Sequence, residues 1–171
     1  MGTQPADSPR DPPLSVVLVC MGNICRSPMA EIVLRSQLAE LGTGLNVIVD
    51  SAGTGGWHAG DSADPRTEQA LAARGYPTEH TARKFEPAWF NERDLVVALD
   101  KANMRDLQKL MPEQSRASLR LLGEFDADAV SLEIADPYYG DADDFDAVLD
   151  QIERCCEGLA AFIEEQVRTR R

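Results

Sequence analysis

The stretch Leu14-Ser15-Val16-Val17-Leu18-Val19, followed by Cys20-Met21-Gly22-Asn23-Ile24-Cys25-Arg26 and then Ser27-Pro28, reads as strand, tight loop and helix in direct succession. Six residues that are apolar but for Ser15 suit a strand buried on both faces. Ser27 is a hydroxyl residue at an expected N-cap, and Pro28 follows at the first helical position, a strong helix-start signal. Between the two elements a thiol and a guanidinium stand at opposite ends of one short loop. Backbone N–H groups in such a loop point inward at the positive end of a helix, which makes an anion site with Cys20 at its floor. Gly22 permits close approach of backbone to a ligand, and Asn23 tolerates the left-handed conformation that a tight cradle needs.

Outward from that loop, strand and helix signals alternate. Residues 28–42 carry Ala30, Val33, Leu34, Leu38 and Leu41 at helical spacing and stop at Gly42. A second strand is expected over 45–50, running into the glycine-rich loop Ser51-Ala52-Gly53-Thr54-Gly55-Gly56-Trp57-His58. Then follow a short helix over 66–75 ended by Gly75, a strand over 94–99, a helix over 101–111 and a short strand over 119–122. The last helix, 143–168, has Phe145, Val148, Leu149, Ile152, Cys156, Leu159, Ile163 and Val167 on one stripe. Alternation of this kind predicts an α/β fold, a parallel sheet with helices on both faces, whose ligands bind at the carboxyl ends of the strands. Cys20 lies at such an end. Cys155 and Cys156 read as small core residues of the last helix, since neighbours on a helix point about 100° apart and do not share a ligand easily.

Length and charge narrow the function. At 171 residues the chain is expected to form a single domain over 14–171, preceded by a disordered tail, residues 1–13 (MGTQPADSPRDPP). A net charge of −12 argues against nucleic acid or an anionic membrane as partner, so an anionic ligand needs a local positive site. No apolar run reaches the length of a membrane span, and no basic segment with an apolar stretch opens the chain. A cytoplasmic protein is expected, with signal-independent export left open; a reducing compartment suits a free nucleophilic thiol.

A thiol ordinarily titrates near 8.5, and the thiolate is the nucleophile. Converging N–H dipoles, Arg26 and the Ser27 hydroxyl each favour the anion; three units of pKa correspond to about 4 kcal/mol. The same donors hold a phosphate or other oxyanion, with Arg26 gripping two oxygens bidentately. That pattern fits phosphoryl transfer, in which positioned donors supply most of the catalysis. A proton donor for the leaving group must come from elsewhere. Asp136-Pro137-Tyr138-Tyr139-Gly140-Asp141 either supplies it, through Asp136, or is an ordinary Asp-Pro turn. Asp141, Asp143, Asp144 and Asp146 read as first-turn helix acids; a divalent-metal site made from them lacks regular ligand spacing.

V-C-M-G-N-I-C-R-S-P-M-A-E near the start and D-P-Y-Y-G-D near the end resemble the low-molecular-weight protein tyrosine phosphatases, most of all actinobacterial members, over about residues 14–168. The resemblance implies a four-stranded parallel sheet, Cys20 as the nucleophile that forms a phosphocysteine, Arg26 as phosphate clamp, and Asp136 as general acid and then base. It implies no metal or other cofactor, and a phosphotyrosine-containing protein as substrate. It places Met21, Gly22, Asn23, Ile24, Cys25 and Ser27 in the phosphate loop, with Ser51 and His80 supporting it. Trp57, Tyr138 and Tyr139 fall where the family builds aromatic walls around the substrate ring; from the residues alone, Trp57 is equally a partly buried core residue. Arginine-phosphate phosphatases of similar sequence carry threonine where Ile24 stands. Arsenate reductases of the fold need further redox cysteines, and residues 80–100 contain none. Cys25 has two readings, a packed loop residue or the partner of Cys20 in a reversible disulfide.

Overall fold

The computed structural model describes residues 12–42 and 46–170. Most of the expected tail, residues 1–11, lies outside them, as does the expected start of the second strand at Leu45.

Four parallel strands form the sheet: β1 (Leu14–Cys20), β2 (Val47–Gly53), β3 (Leu95–Ala98) and β4 (Ser118–Leu121), in the spatial order β2-β1-β3-β4. Between and after them run α1 (Arg26–Glu40), α2 (Pro65–Ala73), α3 (Lys101–Leu110) and α4 (Ala142–Thr169), with short 3₁₀ turns at Pro87–Asn91 and Leu122–Phe125. β1 is central, paired through Val16 with Val49 on one side and Leu95 on the other. Its side chains alternate between two cores, as a strand's period of two requires. Val16, Leu18 and Cys20 join α1, α2 and the apolar stripe of α4, while Val17 and Val19 join Leu107 of α3, Phe85 and Phe90. The sheet is thus covered on both faces, and the eight stripe residues expected on the last helix are all buried. Cys155 and Cys156 are buried among them as free thiols, and burial pushes the Cys155 thiol up to about 11.

Three expectations about boundaries need correction, and two of them bear on the site. Ser27 is not the N-cap of α1. The helix begins at Arg26 after Cys25, and no side chain caps it, because the Ser27 hydroxyl faces inward. Ser51 does not lie in a loop: β2 continues three residues past Asp50 because Ser51, Ala52 and Gly53 remain registered with Leu18, Val19 and Cys20. Leu41 is exposed, since α1 has ended at Glu40 and Gly42 turns the chain away with φ of 114°. The acids at the start of α4 do behave as helix acids: Asp141 and Asp144 form a reciprocal capping box. Among the described residues no helix is long and apolar enough to cross a membrane.

Candidate active site

Five residues, 21–25, connect β1 to α1, and their shape depends on Asn23. Its φ of 57° makes it the one non-glycine residue of positive φ among the described residues, in the region asparagine tolerates best. The side chain is fully buried. Nδ2 donates to Ser27 Oγ at 2.8 Å and to Ser51 Oγ at 2.9 Å, while Oδ1 accepts from the backbone N–H of Arg83 at 3.0 Å. His80 Nε2 lies 2.7 Å from the Asn23 carbonyl, an arrangement that requires the proton on that nitrogen. Asn23 can only donate through Nδ2, so both hydroxyls accept from it and each has its own proton left to give. Ser51 gives it to Glu31 Oε1 at 2.7 Å, and Ser27 can give it to Cys20 Sγ, 2.9 Å away. The side chains behind the loop are therefore tied to one another, from His80 and Asn23 through Ser27 and Ser51 to Glu31.

Neighbouring strands hold the loop from outside. The amides of Thr54 and Gly55 donate to the carbonyls of Cys20 and Met21 at 2.9 and 3.0 Å. A Cβ at Gly53 would lie 2.6 Å from the Met21 carbonyl oxygen, so only glycine permits this approach. The Asp64 amide donates to Ile24 O at 2.9 Å, which docks the start of α2 on the far side.

Arg26 is 2% exposed and is no surface charge. Nη1 donates to Asp100 Oδ2 at 2.6 Å and to Ile134 O at 2.8 Å, while Nη2 lies 3.7 Å from Asp136 Oδ2. Burial works against its charge, yet Cys20, Asp100 and Asp136 together more than offset that and raise its pKa. Nε and Nη2 hydrogen-bond to no described residue, so one edge of the guanidinium remains to grip an oxyanion. Asp100 lies two residues past the end of β3 and caps α3, accepting from Asn103 N at 2.7 Å. The Ile134 amide donates to Leu99 O at 2.9 Å, and this contact brings the segment carrying Asp136 across the strand ends to the loop. Asp136 Oδ1 accepts from the Tyr138 amide at 3.1 Å, which turns Oδ2 toward Arg26.

The result is one cavity of about 220 Å³. Cys20, Met21, Gly22, Ile24, Cys25 and Arg26 form its base, Asp136 one flank, and Trp57, His58, Tyr138 and Tyr139 the rim. Trp57 is 75% exposed, which excludes a core role, and Tyr139 stands edge-on to Tyr138 with ring centres 5.0 Å apart. Cys25 is buried against the core, and burial, followed by nearby Asp64, pushes its thiol up to about 12. Each expected residue except Asn23, Ser27, Ser51 and His80 lines the cavity, and those four form the lattice behind it.

Sequence reading missed Asp100, Glu31 and His58. Asp100 had a usable signal, since it follows an apolar strand and precedes a helix, the edge where an α/β sheet places its site. Glu31 and His58 had none.

Known proteins bear on this geometry. Residues 15–169 match the family model described as low molecular weight phosphotyrosine protein phosphatase. A low molecular weight protein-tyrosine-phosphatase of Streptomyces coelicolor is 49% identical over 158 residues, covering 91% of this chain and 96% of the relative. The protein tyrosine phosphatase of Entamoeba histolytica, solved with Hepes in its active site, superposes with a TM-score of 0.85 at 34% identity, over 90% of this chain and 98% of that one. A Drosophila arginine phosphatase superposes with a TM-score of 0.81 at 30% identity, over 86% and 96%. On matches of this extent, the chain belongs to the low molecular weight phosphotyrosine protein phosphatase family.

Proposed function

We propose that this protein hydrolyses phosphotyrosine in proteins, and small aryl phosphates, through a phosphocysteine on Cys20. The observation that carries the reading is the convergence of a thiol, a buried guanidinium and a carboxyl group on one cavity. In the first step the Cys20 thiolate attacks phosphorus and forms the S–P bond. The P–O bond to the aryl group breaks, and Asp136 gives its proton to the departing oxygen. In the second, the Asp136 carboxylate takes a proton from water as that water attacks phosphorus; the S–P bond breaks, and inorganic phosphate and the thiolate are released. Arg26 and the loop N–H groups hold the equatorial oxygens throughout, and acid-base assistance of this kind is worth roughly 10²–10⁴ in rate. The donors are all provided by the chain, and no step calls for a cofactor.

Ile24 at the base with Trp57, Tyr138 and Tyr139 at the rim supports a flat apolar ring rather than a guanidinium between loop and substrate backbone. Cys20, 3% exposed in a cavity whose lining includes the exposed rings of Trp57, Tyr138 and Tyr139, also favours phosphotyrosine over the shorter phosphoserine. The four free thiols among the described residues support a cytoplasmic setting.

The test is a burst assay with an aryl phosphate, run beside an N-phosphoarginine substrate. Cys20→Ser should abolish turnover while retaining phosphate or vanadate, and Asp136→Ala should slow the poorest leaving groups most. Activity in Cys20→Ser, loss of activity with chelators, or preference for the phosphoarginine substrate would overturn the proposal.

A further inference from the structure

We propose that Arg66 is a positioning residue that holds the Asp136 loop in register with the phosphate loop. The inference rests on the reading of Asp136 as proton donor. Arg66 lies in the first turn of α2, where its own amide donates to Asp64 Oδ1 at 2.8 Å. Its guanidinium returns to the same carboxylate bidentately, Nε to Oδ1 at 3.0 Å and Nη2 to Oδ2 at 2.9 Å. That pairing fixes the plane of the fork, and the remaining nitrogen, Nη1, donates to the carbonyl of Gly140 at 3.1 Å. The guanidinium carbon lies 4.5 Å from the ring centre of buried Phe145 and 5.5 Å from that of Tyr138.

These contacts join two parts of the site that are far apart in sequence. Asp64 is anchored to the phosphate loop through its amide and Ile24 O. Gly140 ends the short turn that starts at Asp136, closed by its own amide on Pro137 O at 2.8 Å. Its next residue, Asp141, is pinned by the α4 capping box. Between that box and the Ile134–Leu99 contact, the turn carrying Asp136 is held across the pocket by Arg66. A proton donor 1 Å out of place forfeits much of its effect, so a link of fixed length between nucleophile loop and acid loop has kinetic consequences. Lysine has one point charge in place of a planar fork and cannot make the three directed bonds together.

The experiment compares Arg66→Met and Arg66→Lys, alone and with Asp136→Ala. Arg66→Met keeps an apolar side chain of similar length and the backbone bond that caps α2. We expect kcat/KM for phenyl phosphate, a poor leaving group, to fall about tenfold and that for p-nitrophenyl phosphate less than threefold. Inhibition by inorganic phosphate should stay within twofold, which reports an intact phosphate loop. Arg66→Lys should not restore the phenyl phosphate rate. In the Asp136→Ala background, Arg66→Met should cost less than twofold, because its effect acts through Asp136. Hydrogen exchange supplies a readout independent of turnover: the amides of Tyr138 and Gly140 should exchange at least tenfold faster in Arg66→Met. Unchanged exchange, an equal loss for both substrates, the same loss without Asp136, or full rescue by lysine would each overturn the inference alone. Absence of aryl phosphatase activity in the wild type would overturn the reading of the site, and the inference with it.

Discussion

Replacing Asn23 tests the loop where backbone and side-chain effects can be separated. In Asn23→Ala the backbone must keep φ near 57°, which for a residue with an ordinary Cβ costs about 1 kcal/mol. Three side-chain hydrogen bonds also disappear, buried ones to Ser27 and Ser51 and a partly buried one to the Arg83 amide, at about 1 kcal/mol each. The His80 contact to the backbone carbonyl survives. The sum is about 4 kcal/mol, which in a chain of this size lowers the midpoint of thermal unfolding by about 10 °C. Asn23→Gly loses the same three hydrogen bonds without the strain, so it should be more stable than Asn23→Ala by about 1 kcal/mol. Urea unfolding followed by circular dichroism measures both variants against the wild type. If alanine cost less than about 1 kcal/mol, the lattice around Asn23 would not be holding the loop. If glycine were no better than alanine, the left-handed conformation would not be part of its role.

Two further outcomes follow from the charges and thiols. Burial opposes the charge on Asp94, but Arg116, the Ser15 amide and Arg170 outweigh it and lower its pKa. A depressed carboxylate contributes stability that is present above its unfolded pKa of about 3.9 and lost as pH falls through the folded value. Stability should therefore drop as the pH is taken below about 4, and Asp94→Asn should flatten that drop in acid titrations of unfolding; an unaltered slope would show that the Asp94 cluster is not its source. A short pulse of iodoacetamide at neutral pH should label Cys20, with protection by inorganic phosphate, and should spare Cys25, Cys155 and Cys156, whose thiols burial holds neutral. Mass spectrometry reads the sites, and early labelling of Cys25 would contradict its burial.

The architecture was legible because it depends on short-range pattern. An apolar run with a thiol at its end, a helix-start signal close behind it at Ser27-Pro28, glycines closing two helices and a long apolar stripe each act within one or two turns of chain. Asn23 was legible for the same reason, since tolerance of a left-handed backbone belongs to the residue type. Ser27 was misread because a hydroxyl beside a helix start has two available partners, the backbone N–H groups of its own helix and whatever the fold places opposite. The fold placed Asn23 and Cys20 there.

Partners distant in sequence are a different matter. By itself the sequence determined the parallel α/β class and a loop, with Cys20 and Arg26 at its ends, of the kind that holds an anion, and it left Asp136 as either a proton donor or an ordinary turn residue. Only the tertiary structure decided that Asp100 and Ile134 would anchor Arg26 from 74 and 108 positions away, that Ser51 would donate a hydrogen bond to Glu31, and that Arg66 would reach Gly140. A side chain's chemistry is intrinsic and can be read locally. Its hydrogen-bond partner is chosen by which strand ends and helix starts the packed sheet brings within 3 Å, and that choice exists only once the chain has closed around β1.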